Sequence, residues 1–242
     1  MGIRQDLKAI ASPERAKTNQ HYFKTGPGEY GEGDIFIGVT VPNQRKVAKK
    51  YYNLPLPEVE NLLQSKIHEE RLTAVIILVE QFKKANTQTQ KEIYNFYLAN
   101  TRYINNWDII DSSAPYIVSV YLWENTAQKS SPSKETMSVL TKLAKSSSIW
   151  ERRIAIMSTF YFIKMGDINE TFIIAEMLLH DQHDLIQKAV GWMLREVGNS
   201  VGIEIEETFL KKHYQTMPRT MLRYAIEKFP AERRKAYLQG HA

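Results

Sequence analysis

Apolar residues recur at intervals of three and four positions along most of the chain, a spacing typical of helices that bury one face. Five apolar segments share a small alanine, and these alanines follow one another at intervals of 40, 41, 34 and 36 residues. They are Ala74, Ala114, Ala155, Ala189 and Ala225. That period is typical of two-helix HEAT-like repeats stacked into a solenoid. We therefore expect an all-α fold, a right-handed superhelical solenoid with a concave basic surface, in one domain over residues 1–242.

The glycine-rich stretch from residue 22 to residue 46 interrupts this helical pattern. It contains five glycines and two prolines, with a short run of β-branched residues near its end. Glycine and proline are unfavourable inside regular elements, so we predict an elaborate loop with a short extended piece. It is not a phosphate-binding loop, because no Gly-Lys-Ser/Thr triplet follows the glycines.

Composition excludes several classes of protein. The chain contains no cysteine, which excludes a disulfide framework and a zinc-thiolate site and indicates a reducing, cytoplasmic location. No apolar run approaches the length of a membrane span, and the N-terminus does not resemble a secretory signal. His180 and His183 have a spacing that metal ligands use, but no convincing third ligand accompanies them. We therefore expect no metal, no cofactor and no membrane partner.

Positive charge is unevenly distributed along the chain, whose formal net charge is +5. Residues 211–235 contain eight lysines and arginines but only two glutamates. Further cations lie in the repeat helices, where we expect them to project outward from one surface. These cations are Arg71, Arg152, Arg153, Lys188 and Arg223. Such a surface suits a nucleic-acid backbone, although a solvated helix face would explain the basic C-terminal segment equally well.

Residues 104–118 place two carboxylates and an indole beside an apolar helical segment. Trp107 and Asp111 are four residues apart and share a face if the helix is continuous, whereas Asp108 lies on a different face. Three interpretations compete: Asp111 caps the next helix, with Pro115 in its first turn; Trp107 is a core residue; or the pair forms a functional site. The residues alone favour the structural interpretations, because acid–aromatic pairs are common and functional sites are few.

Trp192 belongs to a second candidate cluster. Lys188 precedes it by four residues and Arg195 follows it by three, so the three side chains can share a helix face. An indole beside cations is a common arrangement for gripping a sugar-phosphate chain, although core packing explains a lone tryptophan more simply. Tyr22 and Lys24 form a similar, weaker pair near the N-terminus.

Four segments, in this order and spacing, resemble the AlkD-type DNA alkylation repair glycosylases, a family of HEAT-like repeat proteins. The segments read NNWDIIDSSAP, IWERRIAI, IQKAVGWMLRE and PRTMLRYAIEKF, and the resemblance covers nearly the whole chain. The family excises cationic N3- and N7-alkylated purines from double-stranded DNA. The resemblance implies that this chain hydrolyses their N-glycosidic bond as a monofunctional, monomeric glycosylase, without extruding the base into a pocket.

The resemblance also implies roles for particular residues. It assigns catalysis to Trp107, Asp111 and Trp192. It assigns DNA contacts to Arg153, Arg195 and Tyr22, to which the clusters described above add Lys188, Lys24 and Arg152. The chain departs from the best-known members at Asn106, where they carry a second tryptophan, and in the glycine-rich stretch 25–34, which is longer than in the compact members.

Two other functions are compatible with the residues themselves. One is a helical-repeat protein that binds nucleic acid without catalysis, and the other is a protein-binding scaffold whose basic surface is incidental. Release of a base from methylated DNA distinguishes the glycosylase from both. Affinity for duplex DNA at moderate salt distinguishes the nucleic-acid-binding protein from the scaffold.

Overall fold

The computed structural model describes residues 2–125 and 132–241, and in these ranges regular structure is almost entirely helical. The predicted all-α fold is thereby confirmed for the described residues, whose β-structure is limited to a bridge between Ile35 and Ile67. The chain divides into two compact units, Met1–Ser113 and Ala114–Ala242. The solenoid of stacked repeats and the single-domain organisation stay predictions. Within the described ranges, no helix is both long and apolar enough to cross a lipid bilayer.

The two units are built from helices α1 to α16. Those of the first unit are α1 (Ile3–Ala9), α2 (Pro13–Tyr22), α3 (Val41–Lys50), α4 (Leu56–Leu63), α5 (His68–Lys84), α6 (Thr87–Ala99) and α7 (Trp107–Asp111). Those of the second unit are α8 (Val118–Asn125), α9 (Lys134–Ala144), α10 (Ile149–Met157), α11 (Phe160–Lys164), α12 (Asn169–Met177), α13 (Asp184–Ser200), α14 (Ile203–His213), α15 (Arg219–Ala225) and α16 (Ala231–Gln239). Short 3-10 helices span Thr101–Tyr103 and Ile226–Lys228.

Helix α5 lies at the centre of the first unit, where it packs against α3, α4, α6 and α7. Most of its length is an apolar core segment in which Ala74 and Ile77 are completely buried. Its first turn is different, because it consists of four buried polar residues, His68, Glu69, Glu70 and Arg71. Burying charged groups is costly unless they are paired and hydrogen-bonded. Neighbouring elements must therefore supply partners to this turn.

The glycine-rich stretch supplies some of those partners. Residues 23–40 of it form a loop with a short extended piece, since Ile35 lies in the isolated bridge, whereas residues 41–46 already belong to α3. The carboxylate of Glu69 accepts hydrogen bonds from the backbone N–H groups of Ile37, Gly38 and Val39. Gly38 has a φ of 79°, and a Cβ atom there would lie 2.1 Å from the carbonyl oxygen of Ser12. Glycine is therefore required at the point where the loop meets α2.

Helix α13 is the central helix of the second unit and packs against α10, α14 and α15. Gly191, in its buried face, marks the closest approach of α15. A Cβ atom at this position would lie 2.4 Å from the carbonyl oxygen of Met221 and 2.6 Å from the Cβ of Tyr224. Gly191 therefore admits α15 directly against the backbone of α13.

Replacing Gly191 with alanine is expected to lower the free energy of unfolding by about 1–3 kcal/mol, because the added methyl group meets backbone atoms of α15. This is the net change in the free energy of unfolding. The clash with α15 should cost more than the gain of about 1 kcal/mol that alanine contributes through its higher helix propensity. Urea denaturation measures the change. As a control, Asn199→Ala alters an exposed side chain of the same helix and should change stability by no more than about 0.5 kcal/mol. A Gly191→Ala variant as stable as the wild type would contradict the close approach.

Candidate active site

A five-residue helix, α7, carries two of the predicted site residues, with Trp107 at its first position and Asp111 at its last. The side chain of Asn106 caps the helix and accepts a hydrogen bond from the Trp107 backbone N–H at 2.8 Å. Because the helix is continuous, the two site residues project from one face. The next helix begins only at Val118, so the interpretation of Asp111 as its cap is wrong.

Trp107 lies at the edge of an aromatic cluster and is partly exposed, so it is not simply a core residue. Its ring is stacked on Phe23, with ring centroids 5.3 Å apart and planes inclined by 14°. Tyr22 at the end of α2 is 62% exposed and meets the indole edge-on at 6.1 Å. Phe23 also stacks on Phe36, at 4.8 Å. The cluster thus holds the indole from one side and leaves part of it open to solvent.

Asp111, the last residue of α7, is partly exposed as well. Burial raises the pKa of Tyr97 on α6, and the negative charge of Asp111 raises it further. The hydroxyl of Tyr97 lies 2.9 Å from the Oγ of Ser113, which in turn donates to the carbonyl oxygen of Ile109 at 2.6 Å. The hydroxyl groups of Tyr97 and Ser113 therefore hold the end of α7 on its buried side. The side chain of Asp111 is partly exposed to solvent.

A buried polar network that the sequence did not indicate adjoins the aromatic cluster. The Nδ1 atom of His68 lies 3.1 Å from Oδ2 of Asp34, and its Nε2 atom lies 2.8 Å from Oδ2 of Asp108. Arg71 donates to Asp34 at 2.6 Å, and Asn106 donates to the same carboxylate at 3.2 Å. Asp108 is the most exposed of the four charged side chains, and even it is only 13% exposed.

The charges of this network stabilise one another. Burial would lower the pKa of His68, but the charge of Asp108 and hydrogen bonds to Asp108 and Asp34 outweigh burial and raise the pKa to about 9. Burial would raise the pKa of Asp34, but the hydrogen bond to His68 and the charge of Arg71 hold it below its usual range. His68 is therefore an imidazolium at neutral pH, held between two carboxylates.

In the second unit, α13 carries the other predicted tryptophan together with two predicted cations. Lys188, Trp192 and Arg195 are four and three residues apart on one continuous helix and share a face, and each is partly exposed. The indole Nε1 of Trp192 donates to Glu196 at 3.1 Å. Lys188 donates to Asp184 at 2.7 Å, and Arg195 forms an ion pair with Glu227. A DNA phosphate that binds Lys188 or Arg195 would therefore compete with the carboxylate of Asp184 or Glu227.

The expectation that the repeat-helix cations project outward is wrong for two of them. Arg71 is 3% exposed because it pairs with Asp34, and Arg153 is 5% exposed and donates to the carbonyl oxygen of Leu185 at 2.6 Å. Arg152 is partly exposed, but its Nε donates to Asp181 at 2.6 Å. DNA contacts by Arg152 and Arg153 stay predictions, and these bonds show what their guanidinium groups do in the protein alone.

Lys24 follows the aromatic residues of α2 and has a backbone conformation that few side chains adopt. Its φ is 51°, in the left-handed region that is uncommon for residues other than glycine. The side chain is exposed, and its Nζ atom lies 5.9 Å from the ring centroid of Tyr30. The ring near its ammonium group is thus that of Tyr30, and the pairing of Lys24 with Tyr22 stays a prediction.

Comparisons with known proteins identify a matching family and a similar fold. A profile of the protein family described as "DNA alkylation repair enzyme" matches residues 3–229. A solved structure described as a predicted DNA alkylation repair enzyme from Enterococcus faecalis has a similar fold, with a TM-score of 0.70 at 15% sequence identity. The similarity covers 91% of this chain and 97% of that one. Among curated proteins, no sequence matches this chain significantly.

Proposed function

Because this chain belongs to the family of DNA alkylation repair enzymes, we propose that it is a monofunctional DNA glycosylase. Its substrates are cationic N3- and N7-alkylated purines in duplex DNA, whose N-glycosidic bond it hydrolyses. The observation that carries this proposal is the placement of Trp107 and Asp111 on one face of a short helix, both partly exposed, with Trp107 at the edge of an aromatic cluster. The finer assignment within DNA repair rests on this geometry.

The chemistry of an alkylated purine suits a fixed carboxylate. Alkylation at N3 or N7 gives the purine a positive charge, so the base leaves as a neutral molecule and needs no general acid. The sugar left behind has the character of an oxocarbenium cation and requires water. The carboxylate of Asp111 stabilises that developing positive charge and orients the water that attacks the sugar.

The aromatic residues complement the carboxylate. The electron-rich face of an indole attracts a cation that comes close to it, and it does so most strongly where water is excluded. Trp107 offers such a face beside Asp111, and its stacking on Phe23 restricts its orientation. We assign Trp192 the role of a further aromatic contact to the cationic substrate. Tyr22, exposed at the end of α2, contacts the DNA strand beside the lesion.

Cations hold the DNA backbone in this proposal. Lys24 and Lys188 are the candidates that reach solvent with flexible side chains, and Arg195 reaches it in part. We assign Arg152 and Arg153 a role in DNA binding as well, although in the protein alone Arg153 is buried and both guanidinium groups donate to backbone carbonyl oxygens. In this proposal a concave solenoid surface contacts the DNA backbone, and the damaged base stays inside the duplex. The protein acts as a monomer.

The test compares lesions that differ in charge. The protein is incubated with duplexes that contain 3-methyladenine, 7-methylguanine or the neutral lesion hypoxanthine, and free base is measured by mass spectrometry against a blank without protein. Release of the two cationic bases, with no release of hypoxanthine, is the expected result. Release of all three would contradict the charge-based mechanism. Salt-dependent duplex binding without any base release would support the alternative, a non-catalytic nucleic-acid-binding protein of the same family.

A further inference from the structure

We propose that His68 is a positioning residue for the reaction, because through Asp34 and Asp108 it holds both residues that flank Trp107 and thereby fixes α7. This inference rests on the proposed function and adds a residue to its machinery. His68 touches no substrate in this account. It acts on Trp107 and Asp111 through the helix that carries them.

The hydrogen bonds form a closed path around the start of α7. Oδ2 of Asp34 lies 3.1 Å from Nδ1 of His68 and accepts from the side-chain amide of Asn106 at 3.2 Å. Nε2 of His68 lies 2.8 Å from Asp108. Asn106 precedes Trp107 and Asp108 follows it, so the tryptophan is bracketed by two residues that are tied to one buried centre. We call this arrangement the His68 clamp.

The clamp requires a doubly protonated ring. A neutral imidazole donates from only one of its nitrogen atoms, whereas both nitrogen atoms of His68 face carboxylate oxygens. The ring must therefore carry both protons to satisfy Asp34 and Asp108 together. The pKa of about 9 agrees with this geometry. Asp108 thus pairs with His68. Its role is to position α7, whereas the role proposed for Asp111 is catalytic.

Other charged groups around His68 do not replace this pairing. Arg71, one turn along α5, donates to Oδ1 of Asp34, and its positive charge opposes that of the imidazolium. Glu69 directs its carboxylate to the backbone of residues 37–39. Arg15 of α2 borders the cavity of about 170 Å³ that adjoins His68 and Asp108. Asp34 and Asp108 are therefore the anions that keep His68 charged.

The aromatic cluster connects the clamp to Trp107 by a second route. The ring of Phe23 lies 5.0 Å from that of His68 and 5.3 Å from that of Trp107. Phe36 stacks on His68 at 4.4 Å. A cation beside aromatic faces is stabilised by them, and rings packed on both sides lose rotational freedom. His68 consequently restricts both the backbone and the ring of the tryptophan.

Helix α7 needs such support. A helix of five residues is not stable by itself, because so few hydrogen bonds do not offset the cost of nucleation. Its position is set by the clamp at its first turn and by the polar groups of α6 near its end. Small displacements of a reacting group reduce rates strongly, so loosening the clamp should lower kcat more than duplex affinity.

The sign of the pH dependence follows from the raised pKa of His68. The clamp is complete below the ordinary pKa of about 6.5 and is lost as the pH rises through about 9. We therefore expect kcat for base release to fall as the pH approaches 9. Asp108→Asn removes the largest favourable charge on His68, so in that variant kcat should be about 10- to 100-fold lower and should fall at a lower pH.

The experiment measures kcat, KM and duplex affinity of the full chain between pH 6 and pH 9.5, with a blank at each pH. Asp6→Asn, which alters the partner of an exposed lysine on another helix, is the matched control and should keep the wild-type profile. An Asp108→Asn profile identical to the wild type in kcat and midpoint would overturn the proposal. A wild type that releases no base would instead overturn the proposed function.

A second measurement covers the case in which Asp108→Asn does not fold. Nuclear magnetic resonance of the wild-type protein follows the titration of the His68 ring directly and needs no activity. A midpoint near 9 is the expected result. A ring that becomes neutral near pH 6.5 would overturn the clamp even if the protein is an active glycosylase.

Discussion

Replacing Asp111 with asparagine is expected to reduce the release of 7-methylguanine by about 1000-fold, a loss comparable with removing a group that stabilises transition-state charge. Asparagine has nearly the same shape but no negative charge, so it does not stabilise the developing positive charge of the sugar. The side chain is partly exposed, so its replacement leaves no buried cavity. Single-turnover release of the free base measures the effect, and a gel-shift titration with undamaged duplex should give an affinity close to that of the wild type.

The matched control makes the same chemical change elsewhere in the first unit. Asp6 pairs with Lys50 at 3.2 Å, and the lysine side chain is 66% exposed. Asp6→Asn should therefore release the base at the wild-type rate. An Asp111→Asn variant that matches the Asp6→Asn control in rate would contradict the assignment of Asp111. Thermal unfolding of both variants shows whether a loss of activity comes from a loss of folding.

Replacing Asp34 with asparagine is expected to lower the free energy of unfolding by about 3–5 kcal/mol, because it leaves a buried arginine and a buried imidazolium without their shared anion. Arg71 and His68 both contact this carboxylate, and all three side chains are almost fully buried. Urea denaturation near pH 7 measures the change. The pKa of Asp34 lies below its usual range, so its contribution to stability is present above the ordinary aspartate pKa and is lost as the pH falls further.

The control for this prediction removes a carboxylate from an exposed pair. Glu80 lies 3.1 Å from Lys83, whose side chain is 53% exposed, and exposed pairs contribute about 0–1 kcal/mol. Glu80→Gln should therefore have little effect. If Asp34→Asn is no less stable than Glu80→Gln, the buried network is not the stabilising feature that its geometry indicates.

The helices of this chain could be predicted from its sequence because their apolar periodicity is local. For Trp107 and Asp111 the sequence supplied only a condition, that they share a face if the helix between them is continuous, and the structure supplies that continuity in α7. The loop with its short extended piece was predictable too, because glycine and proline act through their own backbone preferences.

Close packing between helices was not predictable in the same way. A glycine near the end of an apolar helical segment, such as Gly198, usually marks the end of the helix, yet α13 continues to Ser200. The structure explains this glycine by a neighbour, because a Cβ atom there would lie 2.1 Å from a carboxylate oxygen of Glu206. A glycine that ends a helix and a glycine that admits a neighbouring side chain look the same in a sequence. Only the tertiary contact distinguishes them.

The buried network was missed for a related reason. Asp34, His68 and Asp108 are 34 and 40 residues apart and lie on a loop and two helices, so no local spacing joins them. One signal was available, namely four consecutive polar residues, His68 to Arg71, in the first turn of α5, directly before a long apolar run in the same helix. A charged turn that leads into a core helix indicates buried pairing. The same pairing explains why Arg71 is buried beside Asp34, whereas its place in the repeat pattern predicted an outward-facing side chain.

Hydrolysis of the bond between a cationic purine and its sugar can be measured by counting the products from one defined lesion. Excess wild-type protein is mixed with a duplex that carries a single 7-methylguanine, and free base, abasic site and strand breaks are quantified together. We expect one free 7-methylguanine and one abasic site for each duplex, with the strand still intact. Full binding of the duplex with no free base above the blank would contradict the proposed function.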